Sequence, residues 1–362
     1  MVLQPPQRFA KCIQVLARVE TSLERYALVG LLVVLGLYYG VQVRADGWNL
    51  WHWDLLFISG IVTFMLALVL ARRMPGRFDA MLDRLVHRGV LALTPEALVP
   101  LKQELAGHAA RWARRSGVVV SAALLLGTGV AFGLPLPPIK LGLALLEAVG
   151  GYLAGRQLGT MAAYGGLGWR LQAKHIPVVA QPGHLDGAAG LKPVGRFYFA
   201  QAMLAAIPAI FLAVWCLLIP VWPGRSYAQW RASYLGLLAL ALGFEILIFV
   251  VPLWAFHVAM QARKRELLET ADSLSRQIAQ AEDALAASQD EHERSVLKDR
   301  LAYMTQHYWN IETMPSWPLD TTTRRRFTLN NVLLFVPLIS QSLGVTGVWQ
   351  QMIKQVVDLF SK

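Results

Sequence analysis

Hydrophobic residues in this chain are gathered into long blocks that are separated by short, basic segments. Six of these blocks are long enough to cross a hydrocarbon core of roughly 30 Å as helices. They cover about residues 26–43, 50–71, 117–134, 140–170, 197–221 and 234–257. The pattern predicts an all-α, polytopic integral membrane helix bundle with six spans.

The remaining segments are amphipathic or polar, and they predict how the bundle is divided. The expected parts are an amphipathic helix (1–25), a first transmembrane pair (26–71), a cytoplasmic helical hairpin (72–116), a four-span unit (117–258) with a Gly/Pro-rich cytoplasmic loop (171–196), a cytoplasmic helical region (259–320) and a membrane-associated segment (321–362). Within the hairpin, Thr94-Pro95-Glu96 has the residue types of a helix N-cap followed by proline at the first helical position.

Two later segments carry patterns of their own. A 4-3-4-3-4 spacing of apolar residues predicts a coiled-coil seam, formed either by one long helix or by an antiparallel hairpin. The seam consists of Leu267, Ala271, Leu274, Ile278, Ala281 and Leu285. Residues 327–343 predict a seventh span or a re-entrant segment. Because Asn330 and Asn331 are costly to leave unpaired in hydrocarbon, this segment is expected to pack against protein.

Composition agrees with a membrane protein. Hydrophobic residues make up 55% of the 362 residues, charged residues only 16%, and the mean hydropathy is +0.43. Soluble domains average roughly 25% charged residues. These values exclude a soluble enzyme and a disordered chain, and two distant cysteines, Cys12 and Cys216, exclude a disulfide framework.

The net charge of +11 could suggest nucleic acid binding in a soluble protein. Here the lysines and arginines flank the apolar blocks, and they are concentrated in the loops after the second, fourth and sixth blocks. The positive-inside bias therefore predicts a cytoplasmic N-terminus in the cell (inner or plasma) membrane. Anionic lipid headgroups are the expected partner of these charges, and nucleic acid is not.

Three charged residues fall inside predicted spans: Glu147 and Arg156 in the fourth, and Glu245 in the sixth. Charges at bilayer depth are costly and usually face the interior of a bundle. Glu147 and Arg156 are nine residues apart, on opposite sides of an unbroken helix. They could meet only if the helix broke, most easily at Gly150-Gly151. An Arg156–Glu245 ion pair is the alternative hypothesis.

Small residues follow Glu147 at a spacing of four. This packing stripe consists of Gly151, Gly155, Gly159 and Ala163. Small residues at this spacing allow close approach of a second helix, so Glu147 is expected to begin a buried face. The partner helix could belong to the same chain or to another copy.

The loop between the fourth and fifth spans holds His184, Asp186 and Lys192, with His175 nearby. These residues could form a cytoplasmic ligand site for a metal or a phosphate. The loop lacks the spacing of a helical HExxH zinc motif and the Walker phosphate-binding pattern, and Asp-Gly with flanking proline is typical of ordinary turns. The sequence therefore predicts no metal site and no cofactor.

The leading functional hypothesis is an ion channel or transporter-like protein, with Glu147 and Glu245 lining the pathway and Arg156 balancing them. The seam and the stripe favour a homo-oligomer. The alternative is a non-conducting membrane scaffold or signalling effector, whose helices at 259–311 bind a cytoplasmic protein. A lipid-acting membrane enzyme that uses the 182–195 loop is third, and an enzyme is less expected because no nucleophile–base pair stands out.

Overall fold

The computed structural model describes residues 55–132, 138–219 and 231–342, together with Val33, Gly36 and Gly40 as single helical positions. The predicted amphipathic helix at 1–25, the first span and the tail beyond 342 lie outside the described residues. The chain divides into two compact units, Met1–Met65 and Leu66–Lys362. Among the described residues, the first unit consists of those three positions and residues 55–65.

Regular secondary structure in the described ranges is helical, apart from one antiparallel bridge between Leu91 and Val178. The all-α prediction is therefore confirmed for this part of the chain. The helices are α1 (Leu55–Ala71), α2 (Met74–His87), α3 (Pro95–Phe132), α4 (Pro138–Gly165), α5 (Leu167–Ala173), α6 (Lys192–Leu218), α7 (Arg231–Ala287), α8 (Glu291–Glu312) and α9 (Thr321–Ser342).

Three helical stretches among the described residues are long and apolar enough to cross a membrane. They are Ile58–His87, which includes most of α1 and all of α2, Lys192–Leu218 and Arg231–Ala287. Large apolar side chains also remain exposed on the helices, for example Val130 and Leu240 at 86% and 70%. Exposed apolar surface of this extent indicates a membrane or partner contact. The chain is thus membrane-associated, with three such helices where the sequence predicts six spans.

The other predicted spans differ from these three for identifiable reasons. The first lies outside the described residues. Helix α3 becomes apolar only after Arg115, and α4 carries Lys140, Glu147 and Arg156 within its length. Helix α9, which covers the segment predicted to span or re-enter, carries three consecutive arginines within its first two turns and contains two asparagines.

Helix α3 joins two elements that the sequence predicts as separate. Thr94 Oγ1 accepts a hydrogen bond from the backbone N–H of Ala97 at 3.3 Å, which confirms the predicted N-cap. The helix then continues without interruption through Ser116 and Gly117 to Phe132. A change from a polar to an apolar surface does not itself end a helix, so the hairpin helix and the third span are one element.

Helix α4 runs unbroken through Gly150 and Gly151, the pair at which the sequence makes a break easiest. The helical path is interrupted instead at Gly166, between α4 and α5. Glu147 and Arg156 therefore lie on one continuous helix, on opposite sides of it.

The main hydrophobic core of the second unit is formed where α2, α6 and α7 meet the end of α4. Phe78 stacks on Tyr164 with ring centroids 4.1 Å apart, and Phe197 lies 5.3 Å from Phe78. Tyr198, completely buried, donates a hydrogen bond to the carbonyl oxygen of Tyr164 at 2.8 Å. A smaller cluster joins α6, α7 and α9. These contacts position α9 beside the apolar half of α7.

The segment predicted as a coiled coil forms a helical hairpin. Helix α7 continues to Ala287, and α8 begins at Glu291 after a short turn. Lys264 Nζ donates to the carbonyl oxygens of Glu312 and Met314 at 2.9 and 3.1 Å, so the two helices run antiparallel. Of the six predicted seam residues, only Ala271 and Ala281 are buried. The other four seam residues are half-buried.

Candidate functional site

Glu245 lies in the apolar part of α7 and is completely buried, with no exposed side-chain surface. Leu238, Leu242 and Phe249 are also buried, and their spacing places them on the same face of the helix as Glu245. This face contacts α6 and α9. The carboxyl group is therefore enclosed by protein, as the sequence predicts for a charged residue at this depth.

Two side-chain amides from α9 approach the carboxyl group. Asn330 Nδ2 donates to Glu245 Oε1 at 3.2 Å, and Asn331 Nδ2 donates to the same oxygen at 3.4 Å. Asn331 Nδ2 also donates to the carbonyl oxygen of Phe327 at 3.1 Å. The prediction that the two asparagines pack against protein is confirmed. We call Glu245, Asn330 and Asn331 the polar cluster.

The polar cluster contains more acceptors than donors. Glu245 Oε2 and Asn331 Oδ1 are buried and have no hydrogen-bond partner among the described residues. Buried polar atoms are nearly always satisfied, so each such atom needs an explanation. A proton on Glu245 would supply the missing donor, and carboxylate and amide oxygens are also ligands for small hard cations. The polar cluster therefore has oxygen atoms that can accept a proton or a small cation.

Contacts near the N-terminal end of α9 fix the position of this helix relative to the polar cluster. Asp320 Oδ1 accepts a hydrogen bond from the backbone N–H of Thr323 at 3.2 Å, the contact that a helix N-cap makes. Its other oxygen pairs with Lys192 Nζ at 2.9 Å, which joins α9 to the start of α6. Phe327 stacks on Phe249 with ring centroids 4.0 Å apart. These three contacts set the register in which the asparagines reach Glu245.

The connector before α9 is also anchored to α7. His257 is 8% exposed, and its Nδ1 lies 2.6 Å from the carbonyl oxygen of Ser316. Its ring stacks on Trp317 with centroids 4.2 Å apart. His257 thus holds the connector before α9 against α7.

The hypothesis of an Arg156–Glu245 ion pair is wrong. Glu245 contacts the two asparagines and no arginine among the described residues. Arg156 lies on α4, with its guanidinium 6.0 Å from the centre of the Tyr152 ring and its stem close to Gly117 of α3. The face of α4 that carries Arg156 is directed at α3, so the side chain does not reach α7.

Glu147 is exposed, contrary to the expected buried face. Its Oε2 accepts a hydrogen bond from Thr128 Oγ1 of α3 at 3.0 Å. A four-residue spacing drifts by about 40° per step around a helix of 3.6 residues per turn. Glu147 is therefore rotated away from the centre of the stripe, and Glu147, Arg156 and Glu245 do not form one site.

The small-residue stripe packs inside the chain, against α3. A Cβ atom added at Gly155 would lie 2.6 Å from the carbonyl oxygen of Ser116 and 2.9 Å from Cα of Gly117. One added at Gly159 would meet the backbone of Trp112, and one at Gly151 would meet Leu124. Ala163, at the end of the stripe, is buried in the main core. The stripe is thus covered by α3, and this removes one of the reasons for predicting a homo-oligomer.

Asp186 is the centre of the loop between α5 and α6. Its Oδ1 accepts hydrogen bonds from the backbone N–H groups of Ala188 and Gly190 at 2.9 and 3.0 Å. Its Oδ2 pairs with Arg88 Nη1 at 2.6 Å and accepts from the N–H of Lys192 at 3.3 Å. Burial of the carboxyl group opposes ionisation, but these donors and nearby His184 hold the pKa of Asp186 below its ordinary value.

The candidate ligand residues of this loop are used in internal contacts. His184 Nδ1 lies 3.1 Å from Asp186 Oδ1, and Lys192 Nζ pairs with Asp320. His175 has a positive φ of 54° at the end of α5. In the described part of the chain no three His, Cys, Asp or Glu side chains are grouped to hold a metal. These contacts support the interpretation of the loop as a folded turn.

We expect Asp186→Asn to destabilise the protein by about 2 kcal/mol, because an amide nitrogen in place of Oδ2 leaves Arg88 and the backbone N–H of Lys192 without their charged acceptor. The folded pKa is lowered, so the stabilisation is complete above the ordinary aspartate pKa of about 3.9 and is lost as the pH falls through the folded value. Thermal melts in detergent should show a difference from wild type at neutral pH that shrinks in acid. Asp299→Asn, an exposed aspartate of α8, is the matched control. A pH-independent difference would contradict the assignment.

Reasoning from the sequence missed that Asn330 and Asn331 meet Glu245. The signal was available, since three polar residues in apolar segments each needed a partner. It also missed the exposed arginines at 77 and 84, whose spacing of seven places them on one face of α2.

In comparisons with protein-family models, curated proteins and solved structures, the chain matches none of them.

Proposed function

We propose that the chain is an integral protein of the cell membrane with six spans, a further membrane segment at α9 and a cytoplasmic N-terminus. The three apolar helices and the exposed leucines and valines support a membrane position. The basic segments that flank the apolar blocks support the orientation. In this topology α3 and α4 cross together as a tightly packed pair.

The function we propose for this protein is the movement of protons or a small cation across the membrane through the polar cluster. The observation that supports it is the completely buried carboxyl group of Glu245, whose second oxygen has no partner among the described residues. Ionisable residues inside membranes are rare, and they mark ion pathways and proton relays. Glu245 is the ion-binding group, and the two asparagines orient it.

Glu147 has a different place in this proposal. It is exposed on α4 with Thr128 as its hydrogen-bond donor, so in a bilayer the carboxylate would need further cover. A second copy of the chain that packs on this face would supply it. Exposed Glu147 is therefore the reason for proposing a homo-oligomer. The small-residue stripe does not support it, because α3 of the same chain covers the stripe.

The test is ion flux into liposomes that contain the purified full-length protein. We expect an imposed proton or cation gradient to dissipate faster with wild type than in empty liposomes, and Glu245→Gln to remove most of this flux. Glu266→Gln, an exposed glutamate on the hairpin part of α7, is the matched control and should leave flux unchanged. Flux that is equal in wild type and Glu245→Gln would contradict the assignment of Glu245.

A second candidate is a non-conducting scaffold, and the α7–α8 hairpin favours it. Helix α8 presents large apolar and aromatic side chains to solvent, with Tyr303, Trp309 and Val296 at 73%, 55% and 55% exposure. Exposed aromatic residues are typical anchors of protein interfaces. The scaffold predicts no flux at all, and a partner that is retained by wild type and lost with Tyr303→Ser and Trp309→Ser.

A further inference from the structure

A pocket of about 320 Å³ lies between α2 and the first turns of α6. Each helix contributes four residues at a spacing of i, i+3, i+4 and i+7, so two straight stripes face one another. The lining residues are Arg77, Ala80, Met81 and Arg84 from α2, and Pro193, Arg196, Phe197 and Ala200 from α6. The pocket volume is at the lower end of the roughly 300–1,000 Å³ that ligand sites occupy.

The floor and the rim of the pocket differ in chemistry. Met81 and Phe197 are buried, at 3% and 4% exposure, and form an apolar floor. Arg77, Arg84 and Arg196 are exposed and form the rim. The alanines leave the space between the two helices open. An apolar floor below a charged rim fits a ligand that has both an apolar and a charged part.

The three rim arginines have no carboxylate partner in the part of the chain that the structure describes. Three nearby basic residues do have one: Arg88 pairs with Asp186, Lys102 with Asp83 and Lys192 with Asp320. Within the described ranges, Arg77, Arg84 and Arg196 form no ion pair, and no carboxylate lines the pocket. Three converging like charges repel one another unless an anion lies between them. The start of α6 adds the positive end of a helix dipole.

The geometry of guanidinium groups matches phosphate oxygens, to which they donate paired hydrogen bonds. We propose that Arg77, Arg84 and Arg196 bind a phosphate group, carried either by an anionic phospholipid or by a soluble phosphate compound. The pocket lies beside the first turn of α6, where that apolar helix begins, and beside α2, which follows the apolar α1. A phospholipid headgroup would be found at this level. The inference does not require ion movement by the protein.

The test uses the full-length protein in neutral detergent and measures thermal stability with three probes: phosphatidylglycerol, phosphatidylcholine and inorganic phosphate. A ligand that binds the folded state raises the melting temperature with its concentration. We expect phosphatidylglycerol to stabilise wild type more than phosphatidylcholine does. Arg77→Gln with Arg196→Gln should weaken the apparent affinity at least about tenfold. Stabilisation by inorganic phosphate that depends on the same arginines would identify a soluble phosphate compound as the source.

Two further variants separate the pocket from a general charge effect. Arg294→Gln with Arg300→Gln removes the same charge from the exposed surface of α8 and should retain the stabilisation. Ala80→Trp keeps all three arginines but fills the pocket, and it should lose the stabilisation. It also decides the question if the double arginine variant does not fold. Equal loss in the α8 control, retained stabilisation in Ala80→Trp, or no arginine-dependent stabilisation by either phosphate probe would overturn the proposal.

Discussion

Gly155→Leu should prevent α3 and α4 from packing and destabilise the protein by about 3 kcal/mol or more. A Cβ at this position lies 2.6 Å from the carbonyl oxygen of Ser116 and 2.9 Å from Cα of Gly117. Both neighbours are backbone atoms, which cannot move aside as a flexible side chain can. The two helices would have to separate along the whole stripe, because Gly151 and Gly159 depend on the same close approach.

Gly142→Leu is the matched control, since it makes the same exchange on the same helix. A Cβ at Gly142 meets nothing within 4 Å. Leucine also has the higher helix propensity, so this variant should be neutral or slightly stabilised. The measurements are the melting temperature in detergent and the elution profile of the purified protein. If Gly155→Leu melted together with Gly142→Leu, the α3–α4 contact would not stabilise the fold.

Several local features of the fold could be predicted from the sequence because their causes are local. Thr94 and Asp320 cap helices through their own side chains, within three residues of the N–H groups that they bind. The sequence marks Gly150-Gly151 only as the easiest place for a break in the fourth span, and the helix continues there. Two adjacent glycines only reduce helix propensity, and the packing of Gly151 and Gly155 against α3 outweighs that cost.

The candidate site could be predicted only in part, because periodicity assigns a residue to a face but does not identify the neighbour of that face. Burial of Glu245 follows from its charge and its apolar surroundings. Its actual partners depend on the register of α9, which is set by Lys192–Asp320 and by the stacking of Phe249 on Phe327. None of these contacts is local in sequence. The Arg156–Glu245 hypothesis failed for this reason.

A polar cluster inside an apolar core can be structural, functional or both, and these roles have different energetic consequences. Removal of one partner leaves the other buried and unsatisfied, whereas removal of all partners by apolar residues of similar size is often nearly neutral. For the polar cluster this asymmetry can be measured because its three members, Glu245, Asn330 and Asn331, lie on only two helices.

We expect Glu245→Leu alone to destabilise the protein by about 1–3 kcal/mol, since Asn330 and Asn331 then lose a buried acceptor. Asn330→Leu with Asn331→Leu should be at least as damaging, because the carboxyl group loses both donors. The triple leucine variant should recover most of the lost stability. The measurements are thermal melts in detergent, and the control is Leu98→Ala, a cavity variant in the first turn of α3 whose effect should be additive with each of them.

Ion flux in liposomes then separates structure from function in the same set of variants. The triple variant should be folded and inactive, because its core is satisfied without a group that can bind a proton or a cation. Loss of flux in a variant with wild-type stability cannot be attributed to unfolding, so it would assign transport to the carboxyl group itself. Wild-type flux in the triple variant would show that ions cross elsewhere, and Glu245 would then be a buried anchor for α9 whose partners are the two asparagines.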